Sequence, residues 1–284
     1  MGLTREDWGE QGAPSWDRPG GSGRGRDVFF WLAAGGALAL YLGFILALGL
    51  GMVSNIKCCT LIRILCCPEI HFAIKLSLYT ATVSTLIAML LAVPAAYTLS
   101  QYRGPGKSLF DTLLDLPLVL PPIGVGFLLL VFFRTALGQA IETHVTRFVF
   151  EVPGIILAQF AVASGFAMRV LKSTFDGLNP RYEEVARTLG LSKWQAFSHI
   201  VLPLSRNGVL ASTVLTWARS IGEFGATMIV AGTFAGKTEV LTIALMMKWQ
   251  MAEIEQGLTV TLLLIVISLT ALLLFRKIGE RHYA

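Results

Sequence analysis

Long apolar runs without charged residues are the dominant pattern along this chain. A helix that crosses about 30 Å of hydrocarbon needs roughly 20 mainly apolar residues, and several windows free of Asp, Glu, Lys and Arg meet or approach that length. These windows are residues 28–53, 76–100, 116–133, 152–168 and 256–275. A further apolar window, residues 207–231, contains Arg219 and Glu223. Counting that window, the pattern predicts six membrane-spanning helices and therefore an all-α membrane protein.

The composition supports a membrane location and excludes several other classes of protein. Of the 284 residues, 54% are hydrophobic and 14% are charged, with a mean hydropathy of +0.66, whereas soluble domains carry about 25% charged residues. A soluble enzyme, a disordered chain and a collagen-like chain are therefore excluded. The net charge of +5 comes from 23 basic and 18 acidic residues. In a membrane protein such an excess is an orientation signal and not a nucleic-acid site.

The distribution of basic residues predicts how the chain is threaded. Six spans put both termini on one side, and Lys and Arg are about twice as frequent in the segments that are cytoplasmic if the N terminus is inside. Both termini are therefore predicted to be cytoplasmic. The predicted organisation is a flexible N-terminal tail (1–27), a first transmembrane helix (28–53), an outer cysteine-containing loop (54–71), a transmembrane domain (72–278) with a cytoplasmic loop at 179–203, and a cytoplasmic C-terminal tail (279–284).

Proline and glycine interrupt the third predicted span. Residues 116–124 contain Pro117, Pro121 and Pro122 followed by Gly124. Backbone groups that proline leaves without a helical partner must be satisfied by neighbouring helices or by water, which favours a helix that faces protein or a transport pathway. The alternative is a simple helix start, because proline is well tolerated in a first turn. The residues leave both interpretations open.

The cytoplasmic loop contains the pattern of two short helices. Asn179 is a suitable N-cap, Pro180 suits the first helical position and Gly190 follows the end of the first helix. Ser192 is the predicted cap of a second helix. A loop of this kind can dock to a cytoplasmic partner through a helix-in-groove contact. Its helices can equally lie on the membrane surface.

The same loop resembles the signature of permease subunits of ABC importers. That signature reads E-A-A, three residues, G, nine residues, I-x-L-P, and this chain keeps the spacing throughout, with valine at the second position. The matching residues are Glu184, Val185, Ala186, Gly190, Ile200, Leu202 and Pro203. The resemblance implies a six-helix permease domain of the ABC transmembrane type-1 architecture in the inner membrane. It also implies that the loop carries the coupling helix, which contacts an ATPase subunit.

Two further segments resemble permeases for molybdate, tungstate and sulfate. They are residues 116–130, at the third predicted span, and residues 218–227, with the wording Gly-Glu-Phe-Gly-Ala-Thr. The resemblance implies an oxyanion importer, with molybdate as the best match and tungstate or sulfate as alternatives. It implies a homodimer that works with two ATPase subunits, which bind ATP and magnesium, and with a soluble substrate-binding protein. A different class, an ion-coupled secondary transporter, would need inverted repeats and an unpaired membrane carboxylate, and the sequence displays neither.

Arg219 and Glu223 are four residues apart, so on a helix they share a face and can form an ion pair. A charged pair within a span normally faces the protein interior. There it either lines or gates the pathway, or it locks neighbouring helices together, and both roles are open from the residues alone. With the third-span motif, the pathway or gate candidates are Pro121, Pro122, Gly124, Arg219, Glu223 and Gly225.

The sequence contains no catalytic or metal-ligand pattern. The four cysteines, which are Cys58, Cys59, Cys66 and Cys67, lack the two-residue gaps of zinc ligands, which leaves a cross-loop disulfide or free thiols. No two histidines have metal-ligand spacing. Residues 232–238 resemble a phosphate-binding loop, but Ala231 occupies a position that requires glycine. The chain is therefore expected to bind no nucleotide, cofactor or metal itself, and not to be an enzyme on its own.

Overall fold

The computed structural model describes residues 23–280, and all regular elements within that range are helices. Most of the predicted N-terminal tail and the last four residues of the C-terminal tail lie outside the described residues. The helices are α1 (Gly23–Ser54), α2 (Cys58–Leu65), α3 (Pro68–Gln101), α4 (Lys107–Val119), α5 (Pro122–Arg134), α6 (Ala136–His144), α7 (Val152–Asp176), α8 (Arg181–Thr188), α9 (Lys193–Ala196), α10 (Leu202–Leu204), α11 (Arg206–Ile221), α12 (Gly225–Ala231), α13 (Leu241–Gln250) and α14 (Ile254–Glu280). A π-helical turn, Phe197–Val201, joins α9 to α10.

The chain divides into two units after Ser54. The described part of the first unit is α1, which starts at Gly23 and not at Val28 as predicted. Its membrane-length portion, Val28–Ser54, has a mean hydropathy of 2.1 and no buried residue. An apolar helix of this length is typical of a membrane span. The second unit contains all the other helices.

Within the described range, four helices are long and apolar enough to cross a membrane, and the number rises to five if the bent pair α4–α5 counts as one span. The four are parts of α1, α3, α7 and α14. The structure therefore supports a multi-pass all-α membrane protein but does not confirm the six spans predicted from the sequence.

The third predicted span, 116–133, is broken. The chain ends α4 at Val119 and restarts as α5 at Pro122, with an angle of 107° between the two helices. Leu120 and Pro121 are both extended, with ψ values of 133° and 138°. A residue that precedes proline avoids the helical region, and proline itself has no N–H to donate. Two consecutive prolines therefore produce a sharp bend here.

The sixth predicted span, 207–231, is broken as well. It consists of α11 and the short helix α12, and neither is long enough to cross a membrane alone. Helix α11 ends at Ile221 with Gly222 as its C-cap, and the break includes Glu223. An apolar window can therefore conceal two helices, because hydropathy does not register where the backbone turns.

The core of the second unit is the packing of α3 against α7. Ala92 and Ala96 of α3 and Ala167 of α7 are each at most 2% exposed and lie in one buried cluster. Small side chains allow two membrane helices to approach closely, so that van der Waals contact and interhelical hydrogen bonds can hold them. Helix α11 packs against the same pair, and Ser212 Oγ donates to the carbonyl oxygen of Ala167 over 3.3 Å.

Helices α5 and α12 touch through two glycines. A Cβ atom added at Gly126 would lie 2.9 Å from Ile229 Cβ and 3.0 Å from Ala226 Cα. One added at Gly225 would lie 2.8 Å from Ile123 Cγ1. In contrast, a Cβ at Gly124 would meet only its own neighbour Pro121, at 3.5 Å or more. Gly126 and Gly225 are therefore required for the close approach, whereas Gly124 is not.

We expect Gly126→Ala to destabilise the protein by about 1–3 kcal/mol, because the added methyl group overlaps α12 and forces the helices apart. Gly124→Ala is the matched control, two residues earlier on the same helix, and should leave stability unchanged or slightly higher, since alanine is the better helix former. Thermal unfolding in detergent measures the difference. Equal stability of the two variants would contradict the close α5–α12 contact.

Candidate functional site

The loop between α7 and α11, here called the coupling segment (residues 179–203), begins with a locally capped helix. The side chain of Asn179 accepts a hydrogen bond from the backbone N–H of Arg181 over 3.0 Å. Gly190, just beyond the end of α8, has φ of +91°. This left-handed conformation is easy for glycine and costly for most other residues. Asn179 and Gly190 therefore act at the two ends of α8, where the sequence pattern places them.

The second part of the coupling segment begins with a capping box. Gln195 N donates to Ser192 Oγ over 3.3 Å, and Ser192 N donates to Gln195 Oε1 over 2.9 Å. This reciprocal pair fixes the start of α9. The following π-helical turn leads into Pro203, which lies in the first turn of α10. A proline in a continuing α-helix would clash with the carbonyl group four residues earlier, and the wider turn avoids that clash.

The signature residues of the coupling segment fall into exposed and buried sets. Glu184, Val185 and Gly190 are exposed, whereas Ala186 is 5% exposed and faces the protein. Ile200 and Leu202 are half-buried, and Pro203 is exposed. The structure thus gives α8 an inner face that is held by small residues and an outer face that is available for contact.

The outer face of α8 is apolar. Tyr182, Val185 and Leu189 are all more than half exposed and recur at helical spacing, and Trp194 at the start of α9 is 72% exposed. An exposed cluster of large apolar and aromatic side chains, with charged residues around it, is typical of a protein-binding surface. We call these four residues the apolar face of the coupling segment.

The two broken spans meet inside the second unit. Gly225, at the start of α12, lies against Ile123 and Pro122, at the start of α5. Pro121 is the N-cap of α5, and Gly124 lies one turn further along. The structure therefore brings the proline break, where the sequence predicts an irregular helix start, next to a break at Glu223 that the sequence does not predict. Paired discontinuous helices are a recurring feature of transport sites.

Arg219 and Glu223 form the ion pair that their spacing predicts. Arg219 Nη1 lies 2.6 Å from Glu223 Oε2, and the Glu223 side chain is 1% exposed. Glu223 Oε1 also accepts from the backbone N–H of Ala226 over 2.9 Å, which caps α12. Thr242 Oγ1 donates to the carbonyl oxygen of Glu223 over 2.9 Å. Glu223 thus connects α11, α12 and α13 at the break, which is the geometry of a lock between helices.

An ionic network between α4 and α7 escapes the sequence analysis. Lys172 Nζ lies 3.5 Å from Asp111 Oδ1 and 3.0 Å from Asp176 Oδ2, and Arg169 Nη1 lies 3.5 Å from Asp115 Oδ1. The sequence does contain a spacing that indicates it. Asp111 and Asp115 are four residues apart, as are Lys172 and Asp176, and residues at this spacing share a helix face. The network fixes α4 to α7 beside a cavity of about 350 Å³.

Several buried polar side chains of the described membrane helices have side-chain atoms without a hydrogen-bond partner. All five are buried and lie on helices α3, α7, α11 and α12. They are Ser84, Gln159, Thr216, Ser220 and Thr227. Buried polar groups are normally paired. These five side chains make the helix interfaces more polar than the apolar windows of the sequence indicate.

A second buried carboxyl group lies in the turn between α12 and α13. Glu239 is 6% exposed, and one of its oxygens, Oε2, has no hydrogen-bond partner. Burial raises the pKa of this carboxyl group, and the nearby Glu69 carboxylate acts in the same direction, against the backbone N–H of Gly236 and the ammonium of Lys248. Glu239 is therefore a buried acid that binds a proton more readily than an exposed glutamate does.

Among the described residues, no group of three His, Cys, Asp or Glu side chains is placed to hold a metal ion. The four cysteines of the α2 region are unbonded thiols, three of them exposed. Of the two alternatives that the sequence leaves open, the structure therefore has free thiols and not a cross-loop disulfide.

The chain matches the model of the family described as "Binding-protein-dependent transport system inner membrane component" over residues 84–281. The chain belongs to this family. It is therefore a permease subunit of an ABC importer, in which a separate subunit hydrolyses ATP. This assignment replaces the secondary-transporter alternative and agrees with the multi-pass architecture.

Characterised relatives share most of the permease sequence. The molybdenum transport system permease protein ModB of Haemophilus influenzae is 38% identical over 214 residues, which cover 74% of this chain and 93% of ModB. The sulfate transport system permease protein CysT of Escherichia coli is 31% identical over 210 residues, which cover 73% of this chain and 75% of CysT. The relatives of this permease therefore belong to oxyanion importers.

A solved structure supports the fold. In the crystal structure of a bacterial alginate ABC transporter in complex with an alginate pentasaccharide-bound periplasmic protein, one chain aligns with a TM-score of 0.73 at 17% identity, covering 90% of this permease and 95% of that chain. At this identity the similarity describes the arrangement of the helices.

We expect Arg219→Gln to destabilise the permease more than Glu223→Gln, because loss of the arginine leaves a buried carboxylate without a counter-charge. The double variant should recover part of the loss, with a coupling energy of about 1–3 kcal/mol. A double-mutant cycle of thermal unfolding in detergent measures this energy. Strictly additive effects would show that the two side chains act independently.

We expect Glu239→Gln to change how stability depends on pH. The raised pKa means that this carboxyl group favours the folded state at low pH, and that this contribution is lost as the pH rises through the raised pKa. The variant should therefore gain stability relative to wild type as the pH increases from roughly 4 to 8. Thermal unfolding across this range is the measurement, and a difference that does not change with pH would contradict the expectation.

Proposed function

We propose that this permease forms the membrane pathway for an oxyanion, with molybdate as the first candidate and tungstate or sulfate as alternatives. The relatives named for molybdenum and sulfate transport support this substrate class. The higher identity to the molybdenum permease, together with the Gly-Glu-Phe-Gly-Ala-Thr segment at residues 222–227, favours molybdate.

The proposed assembly contains two copies of the permease, two cytoplasmic ATPase subunits and a soluble binding protein outside the membrane. Magnesium and ATP bind to the ATPase subunits and not to this chain. The termini are cytoplasmic, as the distribution of basic residues predicts. The binding protein delivers the oxyanion, and the ATPases supply the energy for its transfer.

The observation that carries the proposal is the apolar face of the coupling segment. Tyr182, Val185, Leu189 and Trp194 form an exposed apolar cluster, and such clusters mark sites of interaction with a protein or a membrane. The ATPase is the partner that the family membership supplies. Glu184, Val185 and Gly190 are the proposed contact region, and the buried Ala186 supports them from the inner side of α8. Ile200, Leu202 and Pro203 anchor the other end of the segment to α11.

The proposed pathway follows the meeting point of the two helix breaks. Gly225 packs there against Pro122, next to Pro121 and Gly124 at the start of α5, and Arg219 with Glu223 provides charge. Because Glu223 neutralises Arg219, the pair is better suited to bracing the helices than to binding a dianion. Its proposed role is to hold α11, α12 and α13 in register while the pathway opens and closes.

In the proposed mechanism, closure of the ATPase dimer on ATP moves the coupling segments and shifts the permease between inward- and outward-facing states. Such a shift requires that the ATP-bound ATPase binds one permease state more tightly than the other.

The deciding experiment is uptake of radiolabelled molybdate into cells that express the permease with its ATPase and binding protein, with tungstate and sulfate as competitors. Uptake that needs the ATPase supports the proposal, and the order of competition identifies the substrate. Uptake by the permease alone that an uncoupler abolishes would overturn it.

We expect Gly190→Val to reduce oxyanion uptake by about tenfold while ATP hydrolysis continues, because a β-branched residue is strained at a φ of +91° and alters the end of α8. Gly190→Asn is the matched control, since asparagine tolerates this conformation and a Cβ atom here meets no neighbour. Uptake and ATP hydrolysis are measured on the same samples. Normal uptake by the valine variant would show that the shape of this turn is not required for coupling.

A further inference from the structure

Glu183, the residue before the signature glutamate, makes contacts of a different kind from Glu184. Tyr97 Oη donates to Glu183 Oε1 over 2.8 Å, and Gln101 Nε2 donates to Glu183 Oε2 over 3.0 Å. Both donors are on α3, four residues apart, so they present a matched pair of groups to the two carboxylate oxygens. Hydrogen bonds to a charged acceptor are stronger than those between neutral groups. Glu183 is half-buried, whereas Glu184 is exposed.

The ring of Tyr97 joins further segments at the same point. Its centroid lies 4.6 Å from that of Phe197 in the π-helical turn and 5.8 Å from that of Phe175 near the end of α7. Phe197 in turn lies 5.9 Å from Trp194 on the apolar face. These separations are those of interacting aromatic pairs. One side chain therefore contacts α7, α8 and the π-helical turn from its position on α3.

Helix α8 has few other lateral attachments to the membrane helices. It is short, and loops connect it to α7 and α9. Its buried contact is Ala186, whose carbonyl oxygen accepts from Leu191 N over 3.2 Å within the same segment. A solvent-open cavity of about 140 Å³ lies beside the Glu183 contacts and is lined by Tyr97, Gln101 and Asn179 among others. On that side the two hydrogen bonds of Glu183 attach α8 to α3, and the ring contacts of Tyr97 join α3 to α7 and the π-helical turn.

We propose that Tyr97, Gln101 and Glu183 form a tether that transmits movement of α8 to the α3–α7 pair. This inference rests on the proposed function, in which the ATPase contacts the outer face of α8. Because α3 packs along α7 through small residues, a displacement that reaches Tyr97 moves two long helices together. Without the tether, α8 can tilt into the neighbouring cavity, and less of its movement reaches α3. Glu183 is a positioning residue in this scheme and Glu184 a docking residue.

The test uses the complete importer, with permease, ATPase and binding protein, reconstituted in liposomes, and measures molybdate uptake and ATP hydrolysis in the same sample. Tyr97→Phe keeps the ring and removes only the hydroxyl group, and Glu183→Gln removes the charge. Each should lower uptake per ATP hydrolysed by at least about threefold, with the ATPase still bound, and the double variant should be no worse than Glu183→Gln alone. Tyr79→Phe removes the hydroxyl group of an exposed tyrosine on the same helix. It is the matched control and should leave both ATPase binding and uptake per ATP as in wild type.

Amide hydrogen exchange provides a readout that does not depend on transport. In Tyr97→Phe, exchange in α8 should accelerate while exchange in α3 and α7 stays as in wild type, which also shows that the variant is folded. Unchanged uptake per ATP in Tyr97→Phe and Glu183→Gln would overturn the tether and leave the proposed function intact. Loss of ATPase binding in Glu183→Gln would likewise overturn it, in favour of direct docking by Glu183. Wild-type uptake that needs no ATPase would overturn the proposed function and, with it, this inference.

Discussion

The close packing of α3 against α7 is the constraint on which the rest of the permease depends. In a bilayer, lipid tails are as apolar as leucine, so two helices gain little from hiding apolar surface and must gain from close contact instead. Ala92, Ala96 and Ala167 make that contact possible at one end of the pair. Ser212 then joins α11 to it through the carbonyl oxygen of Ala167. Each functional segment is positioned by one of these three helices.

The two helix breaks have different physical causes and lie next to each other in the structure. At Pro121 and Pro122 the backbone cannot continue as a helix. At Glu223 the backbone turns so that a buried carboxylate can accept from the N–H of Ala226 and face Arg219. Gly225 lets the two breaks touch, because its missing side chain leaves room for Ile123. A pathway placed here has walls whose polar backbone groups are partly free of regular helix bonding.

Local patterns in the sequence predicted local structure well, and non-local contacts escaped them. The charge-free windows located α1, α3, α7 and α14, and Ser192 with Gln195 formed the expected cap, since both signals depend on neighbours in the chain. Hydropathy alone could not locate the 107° bend before α5, because a window average is insensitive to backbone direction. The contact of Tyr97 with Glu183 joins residues 86 positions apart. Only the packed helices bring them together.

The adjacent glutamates of α8, Glu183 and Glu184, lie in different environments. One side of this short helix can therefore contact its own protein while another side stays available for a partner. On α8, successive residues point about 100° apart, so Glu183 and Glu184 cannot face the same surface. Glu183 turns toward α3, where two donors satisfy it, and Glu184 remains exposed beside Val185. If the inner carboxylate were missing, an ATPase bound to the outer face would pull on a helix with no firm attachment to α3. We therefore propose that the signature residue Glu184 belongs to the docking surface and that Glu183, the residue before it, ties that surface to α3.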